Sequence, residues 1–434
     1  MSNEVSTLNG LFKERYADKV KQLVPDHVKL YNAVKFDTSK KVGDSYNEPV
    51  ILSLESGFTY GGEGGSLFEL NQVKEFKMRK ASIKARELVL RSAISIGALS
   101  RSGSDQQAIE KAMDLMVGNM LKSVYHRLEV QMFYGQSGIA ACEGTVSLLV
   151  APNPQAGNTE ISIDEAEWAA GIWNGTCGHE IEIFANNLST KRGTYSIVGY
   201  SLANRTVTVA GDATADGIVA TDVIHFKGAS TATSDPEGLA RNEFLGIHGI
   251  ATEQSSLFGI NNSNEPLFQG SIVDVGASAM SPAILSFAKI EEGIAAMVEK
   301  GLMEEEVSCY VNPKQWNSLL SELDAKRQID SSYSPAKGEK GQREIVFHGQ
   351  NGNVKVIAST FVKEGYSYLV CEKDLKRIGS EEVTFKRPDG EEYLELLEGF
   401  HGIEMRCYTD QALFTARPAS LCVLQYIKPG EVTP

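Results

Sequence analysis

The sequence predicts an α+β protein, and three observations carry that expectation. Two stretches with two-residue apolar alternation flank a glycine-rich loop. One long stretch repeats its apolar residues every three or four positions, and the middle third breaks into short β-like runs. At 434 residues, 42% hydrophobic and 23% charged, the chain has the composition of a folded protein and enough length for two or more lobes.

The alternating stretches come first. In "NEPVILSLESGFTY", Val50, Leu52 and Leu54 alternate with Ile51, Ser53 and Glu55, and Phe58 and Tyr60 keep the period. In "VKEFKMRKASIKAREL", Phe76 and Met78 alternate with Lys77 and Arg79, then Ile83 and Ala85 with Lys84 and Arg86. Together they read as two long strands of an extended β-hairpin tipped by "GFTYGGEGGSLFEL". The tip is no nucleotide loop. Ser66, Leu67 and Phe68 follow Gly64 and Gly65 where a phosphate loop needs its lysine, and Leu67 stands where the dinucleotide fingerprint needs a third glycine.

A two-stranded ribbon cannot hide its apolar face alone, so its cover must come from the rest of the chain or from another molecule. The basic stripe of Lys74, Lys77, Arg79, Lys80, Lys84, Arg86 and Arg91 reads as a solvated or salt-bridged strand face that would suit an acidic neighbour.

Residues 8 to 24 read as a short amphipathic helix ended by Pro25. Ser104 and Gln107 fit a capping box, after which Ile109, Met113, Met116, Met120, Val124 and Leu128 recur at helical steps until Gly135. Thirty residues at 1.5 Å each give a beam of about 45 Å. Its methionine stripe reads as core packing.

From about 139 to 275, runs such as "HEIEIFA" and "RTVTVAG" predict a β-rich lobe, with Trp168 and Trp173 as core residues. Ser281-Pro282 predicts a helix start and Gly301 its end. "VSCYV" reads as a strand leading to a helix at Pro313, and "REIVFHG" and "NVKVIAST" as strands joined at Asn351-Gly352. "SYLVCE" is another strand, "EVTFKRPDGEEYLEL" reads as a hairpin, and "GIEMRCYTDQALFTARPASLCVLQYI" supplies the last strands.

Net charge is −14, and residues 139–280 hold five Lys/Arg against sixteen Asp/Glu, a balance of −11. Such a surface repels phosphate and argues against dedicated nucleic-acid binding. The first residues mix acids and bases, and no run is long enough to span a membrane, so a soluble intracellular product is expected.

The six cysteines are scattered without a C-x-x-C pair and read as reduced and buried. Cys177 and His179 in "TCGHE" are two ligands, too few for a zinc site. Neither a nucleophile elbow nor a His-Glu-x-x-His motif occurs, and the seven histidines are isolated. No enzyme, catalytic residue, metal or cofactor is expected.

This order of parts resembles the major capsid protein of tailed bacteriophages, the Hong Kong phage type of fold. "NEPVILSLESGFTYGGEGG" through "KASIKARELVL" looks like that family's extended loop, and "SDQQAIEKAMDLMVGNMLKSVYHRLEVQMFYG" like its spine helix. "SPAILSFAKIEEGIAAMVEKG" with "VSCYVNPKQWNSLL" looks like the axial domain, and "IEMRCYTDQALFTARPASLCVLQYI" like the strands returning to the peripheral domain. The resemblance implies an N-terminal arm over 1–45, the extended loop and flanking strands over 46–100, and the spine helix over 101–138. A bulky β-rich insertion then spans 139–275, the axial domain 276–400 and the closing strands 401–434.

It further implies contacts between copies through Phe58, Tyr60, Gly61, Gly62, Gly64, Gly65, Phe76, Lys77, Met78, Arg79 and Lys80. The implied product is an icosahedral shell of hexamers and pentamers in the virion, assembled in the host cytoplasm with a separate scaffolding protein and portal. It would enclose double-stranded DNA without reading its sequence and would contact no membrane. Lys74, Lys77 or Lys80 could cross-link to a neighbour, as loop lysines do in some relatives. The alternatives are an encapsulin-like nanocompartment shell and, from another class, a hydrolase or carbohydrate-binding protein with a β-rich lobe.

Overall fold

The chain is a mixed α/β protein with several sheets and few helices. The computed structural model describes residues 28–41, 45–64, 67–97, 112–235, 239–302, 305–321, 344–385, 394–396 and 399–429. In chain order these form α1 (Leu30–Ala33), β1 (Phe36–Lys41), β2 (Tyr46–Ser53), β3 (Lys77–Ile83), β4 (Arg86–Ser95) and α2 (Ala112–Tyr134). Then come β5 (Ala140–Leu148), β6 (Thr159–Ile163), α3 (Ala170–Trp173), β7 (Glu180–Phe184), β8 (Lys191–Ser201), β9 (Thr206–Val209) and β10 (Val223–Phe226). Next are α4 (Ile247–Thr252), β11 (Ser256–Leu257), β12 (Ile260–Asn261), β13 (Ser271–Asp274), α5 (Phe287–Glu299), β14 (Val307–Val311) and α6 (Pro313–Ser321). The last are β15 (Glu344–Gly349), β16 (Gly352–Ala358), β17 (Ser367–Val370), β18 (Leu375–Thr384), β19 (Leu394–Leu396), β20 (Gly402–Thr415) and β21 (Leu421–Gln425).

The described residues fall into two units, a smaller one within 88–125 and 383–409 and a larger one within 27–87, 126–382 and 410–434. In the smaller unit, β19 pairs antiparallel with the first half of β20, Leu394 opposite Met405. β4 also pairs with β20, with an ion pair from Arg91 to Glu404 at 3.2 Å. The part of α2 in this unit buries Met120 and Val124, four residues apart on one helix face.

In the larger unit, β5 to β10 close into a six-stranded barrel. Ile161, Ile163, Ile197, Val207 and Val209 are buried, and Trp168 and Trp173 stack with ring centres 5.9 Å apart. The barrel enters at β5 and leaves at β10, which are antiparallel neighbours with Ala141 opposite Val223. A second sheet has the order β13-β21-β17-β14-β16-β15. α5 covers it with Ile290, Ile294 and Met297. At Gly293 an added Cβ would stand 2.5 Å from the end of the Leu369 side chain, which would have to shift to admit it.

Two polar anchors hold the larger unit's segments. The buried Glu129 carboxylate accepts the backbone N–H groups of Lys29 at 3.0 Å, Leu30 at 2.9 Å and Tyr31 at 2.7 Å, satisfying the free donors of α1. Burial pushes this carboxyl up to about 7, against the lowering effect of the three N–H groups. Lys363, also buried, donates to Gly138 O and to Glu167, which accepts a second bond from the Tyr366 hydroxyl. Burial raises the Glu167 carboxyl, but Lys363 beside it prevails and holds it below the ordinary value.

Several expectations need correction. The strand predicted through residue 86 breaks at Lys84-Ala85, and β4 pairs with β20 instead of extending the hairpin. Phe58 and Tyr60 lie beyond the regular strand, which ends at Ser53. The helix expected from Ser281 begins at Phe287, where the Ser286 hydroxyl accepts the Lys289 N–H. Residues before it are extended because Ala283 bridges to Ile427. "EVTFK" and "LEL" do not form a hairpin; β18 and β19 each border β20. The helix over 8–24, the capping pair Ser104 and Gln107, the Pro388–Gly390 bend and Gly65 lie outside the described residues.

Candidate assembly interface

The ribbon in the larger unit is the candidate site. β2 and β3 pair in antiparallel register from Tyr46 opposite Ile83 to Ile51 opposite Met78, then shift by one residue to Ser53 opposite Lys77. Beyond the strands the same pairing continues loosely: Ser56 N–H donates to Lys74 O at 3.2 Å and Asn71 N–H to the Thr59 hydroxyl at 2.8 Å. Directly opposed residues share a face. Ile51 and Met78 therefore lie together, and both are exposed, at 60% and 53%. The other face carries Leu52 and Ala81, both buried.

The base of the ribbon is fixed to the segment around β11 and β12. Ser82 N–H donates to Phe258 O at 2.8 Å. Tyr46 and Phe258 each pack on the Phe414 ring, at 5.4 and 5.2 Å between centres. Lys77 forms an ion pair with Glu265, and a cleft of about 370 Å³ opens there between Arg79, Lys80, Asn261 and Asn264. Glu265 is 188 residues from Lys77 in sequence, and no local pattern announces it.

Past the base, cover ends. Ten large apolar side chains from Ile51 to Met78 are exposed, among them Phe58 at 74% and Tyr60 at 91%. Phe76 is partly covered but still exposed. Monomeric proteins rarely leave so much contiguous apolar surface in water. At about 2 kcal/mol per large side chain, covering half of these is worth on the order of 10 kcal/mol.

The glycines differ in what they do. A Cβ on Gly61 would lie 2.6 Å from the Phe68 ring, so this glycine makes room for a cross-ribbon aromatic. Gly62 has φ +67°, the left-handed region. Gly64 meets open space. Among the other residues expected at the contact, Lys80 is exposed beside the cleft and Lys77 is held by Glu265.

Two further clusters carry ionisable chemistry. Glu305, Cys371 and Asp374 bring three potential metal ligands together, but the Arg417 guanidinium donates to both carboxylates at 2.9 and 2.8 Å. Burial first, and then the bond to Glu305, push the Cys371 thiol up to about 12, so it stays protonated. The cation position is already filled by arginine. Cys177 is exposed, and no third ligand joins it and His179 among the described residues. The other five cysteines are buried and all six are free.

The sequence matches no protein-family model and no curated protein. Solved structures do match, over nearly the whole chain. The "Cyanophage A-1(L) capsid asymmetric unit" superposes with TM-score 0.53 at 11% identity, covering 96% of this chain and 98% of the other. The fold is that of a phage capsid subunit. The capsid of a native GTA particle gives TM-score 0.51 at 9% identity over 99% of this chain and all of the other.

Proposed function

We propose that the chain is the major capsid protein of a tailed double-stranded DNA bacteriophage and builds an icosahedral head from hexamers and pentamers of itself. The observation that carries this reading is the ribbon, on which ten large apolar side chains between Ile51 and Met78 stand exposed among the described residues. A second copy supplies the cover, through contacts that include Phe58, Tyr60, Phe76 and Met78. The helix α2 acts as the spine, the α5-covered sheet as the axial domain, and the barrel as an insertion. A separate scaffolding protein and a portal complete assembly in the host cytoplasm. The acidic balance of −14 suits a wall that encloses DNA without gripping it.

The test is electron microscopy of particles from the chain with residues 57–74 replaced by a two-residue turn, beside the parent chain. The parent is expected to form closed shells and the deletion a folded subunit that forms none. Normal shells from the deletion overturn the reading. Nucleic-acid staining of particles from infected cells separates a DNA head from a protein-loaded compartment.

A further inference from the structure

At the base of the ribbon, β3 and the segment around β12 approach each other without completing a ladder. Ser82 N–H of β3 donates to Phe258 O at 2.8 Å, beside the turn that leads into β12. N–H groups alternate in direction along an extended strand, so Lys80 N–H points to the same edge. Among the described residues no carbonyl meets it there, because β3 is laddered to β2 alone and the two segments separate. The cleft of about 370 Å³ occupies the separation, with Arg79 and Lys80 on one side and Gly259, Ile260, Asn261 and Asn264 on the other. That is space for a phosphate-sized ion and several waters.

Donors and positive charge surround this space. Arg79 and Lys80 are successive strand residues, so their side chains leave on opposite faces and stand either side of the open edge. Both are exposed, and neither forms an ion pair among the described residues. Lys77 and Glu265 cancel each other at the cleft, which leaves it two uncompensated positive charges. The Asn261 side chain accepts Ser263 N–H at 3.2 Å through its oxygen, so its NH2 remains to donate. Asn264 adds a second amide. A backbone N–H, a guanidinium, an ammonium and side-chain amides together suit an anion with several acceptor oxygens, and two positive charges suit the charge of a phosphate near neutral pH. A carboxylate, with two oxygens and one charge, engages fewer of these donors.

We propose that the cleft at the ribbon base is a phosphate-binding site, in which the anion bridges Arg79 and Lys80 of β3 to Asn261 and Asn264 and completes the interrupted contact between the two segments. The bound anion stiffens the root from which the ribbon projects. A free phosphate ion and a nucleic-acid backbone present the same oxygens, and the net charge of −14 favours the small ion over the long polyanion.

The test is isothermal titration calorimetry of the full-length chain with inorganic phosphate, ionic strength being held constant with chloride; it reads binding whether or not the chain forms particles. Saturable binding with Kd at or below about 1 mM is expected, with sulfate competing and acetate not. Arg79→Gln with Lys80→Gln is expected to weaken binding at least about tenfold while the urea midpoint without phosphate stays that of the parent. Glu265→Gln removes the opposing carboxylate and releases Lys77, and is expected to tighten binding several-fold, which a purely structural role for Glu265 would not do. Hydrogen exchange locates the site: phosphate is expected to slow exchange at Lys80 and across 259–265 in the parent and not in the double variant. A short DNA duplex distinguishes the two sources, since a duplex that displaces phosphate from the Arg79- and Lys80-dependent site shows that a backbone phosphate is accepted, and one that does not leaves the free ion as the ligand. No saturable binding of either probe, or binding that the double variant retains at the parent's strength, overturns the proposal.

Discussion

Replacing Glu129 by glutamine sets burial against hydrogen bonding at one carboxyl. Three backbone N–H groups converge on it, which favours the ionised form, while complete burial on α2 favours the protonated form. Burial prevails, and the group sits at about 7 where the ordinary value is 4.5. The folded state therefore holds this proton more tightly than the unfolded chain. Its contribution to stability is fully present below about 4.5 and declines as pH rises through 7. A difference of about 2.5 units corresponds to about 3 kcal/mol.

Glutamine does not titrate, so the parent's stability relative to Glu129→Gln is expected to fall by that amount between pH 4.5 and 7.5. Urea unfolding of both full-length chains across this range measures it, and titrations common to both cancel in the difference. A difference that stays constant, or grows with pH, refutes the reasoning: the N–H cradle would then outweigh burial and the carboxylate would be ionised at neutral pH.

Three other predictions follow from the same structure. The half-buried His248 is lowered to about 4, by desolvation first and by Lys363 second; stability is expected to fall by about 3 kcal/mol as pH drops from 6.5 to 4, and by clearly less in His248→Gln, measured by urea midpoints. Gly61→Val is expected to drive the Phe68 ring aside and impair assembly, whereas Gly64→Ala, which meets open space, is expected to assemble like the parent by light scattering. Glu265→Ala removes the partner of Lys77, whose side chain is 45% exposed, and is expected to cost less than about 1 kcal/mol in thermal unfolding while speeding hydrogen exchange at Lys77–Ser82.

Much of the fold was legible where local pattern and final environment agree. "VSCYV" is apolar nearly throughout, and β14 is a central strand buried along its length. Asn351-Gly352 needs a left-handed turn, and Gly352 has φ +112° between β15 and β16. The two strands of the ribbon were legible from their alternation, and β2 and β3 pair in antiparallel register.

What the pattern could not reveal depends on distant partners. The alternation through Arg86 is continuous, yet β3 and β4 join different sheets, because periodicity says which face is apolar and not which strand lies beside it. Ser281-Pro282 is a good helix start in isolation, but Ala283 is bound to Ile427 across the sheet edge, and Ser286 takes the cap. Glu265 reached the ribbon only through the fold.

The closed barrel has a practical consequence. Its first and last strands are side by side, so the lobe's two junctions with the rest of the chain lie about 5 Å apart. A foreign domain whose own ends are equally close could be grafted at Ala140 and Ile224, which stand opposite each other, without lengthening either crossing. A lobe with every backbone edge already paired also offers no strand for stray polymerisation, so it can diverge in size and coating chemistry while the subunit that carries it keeps its outline.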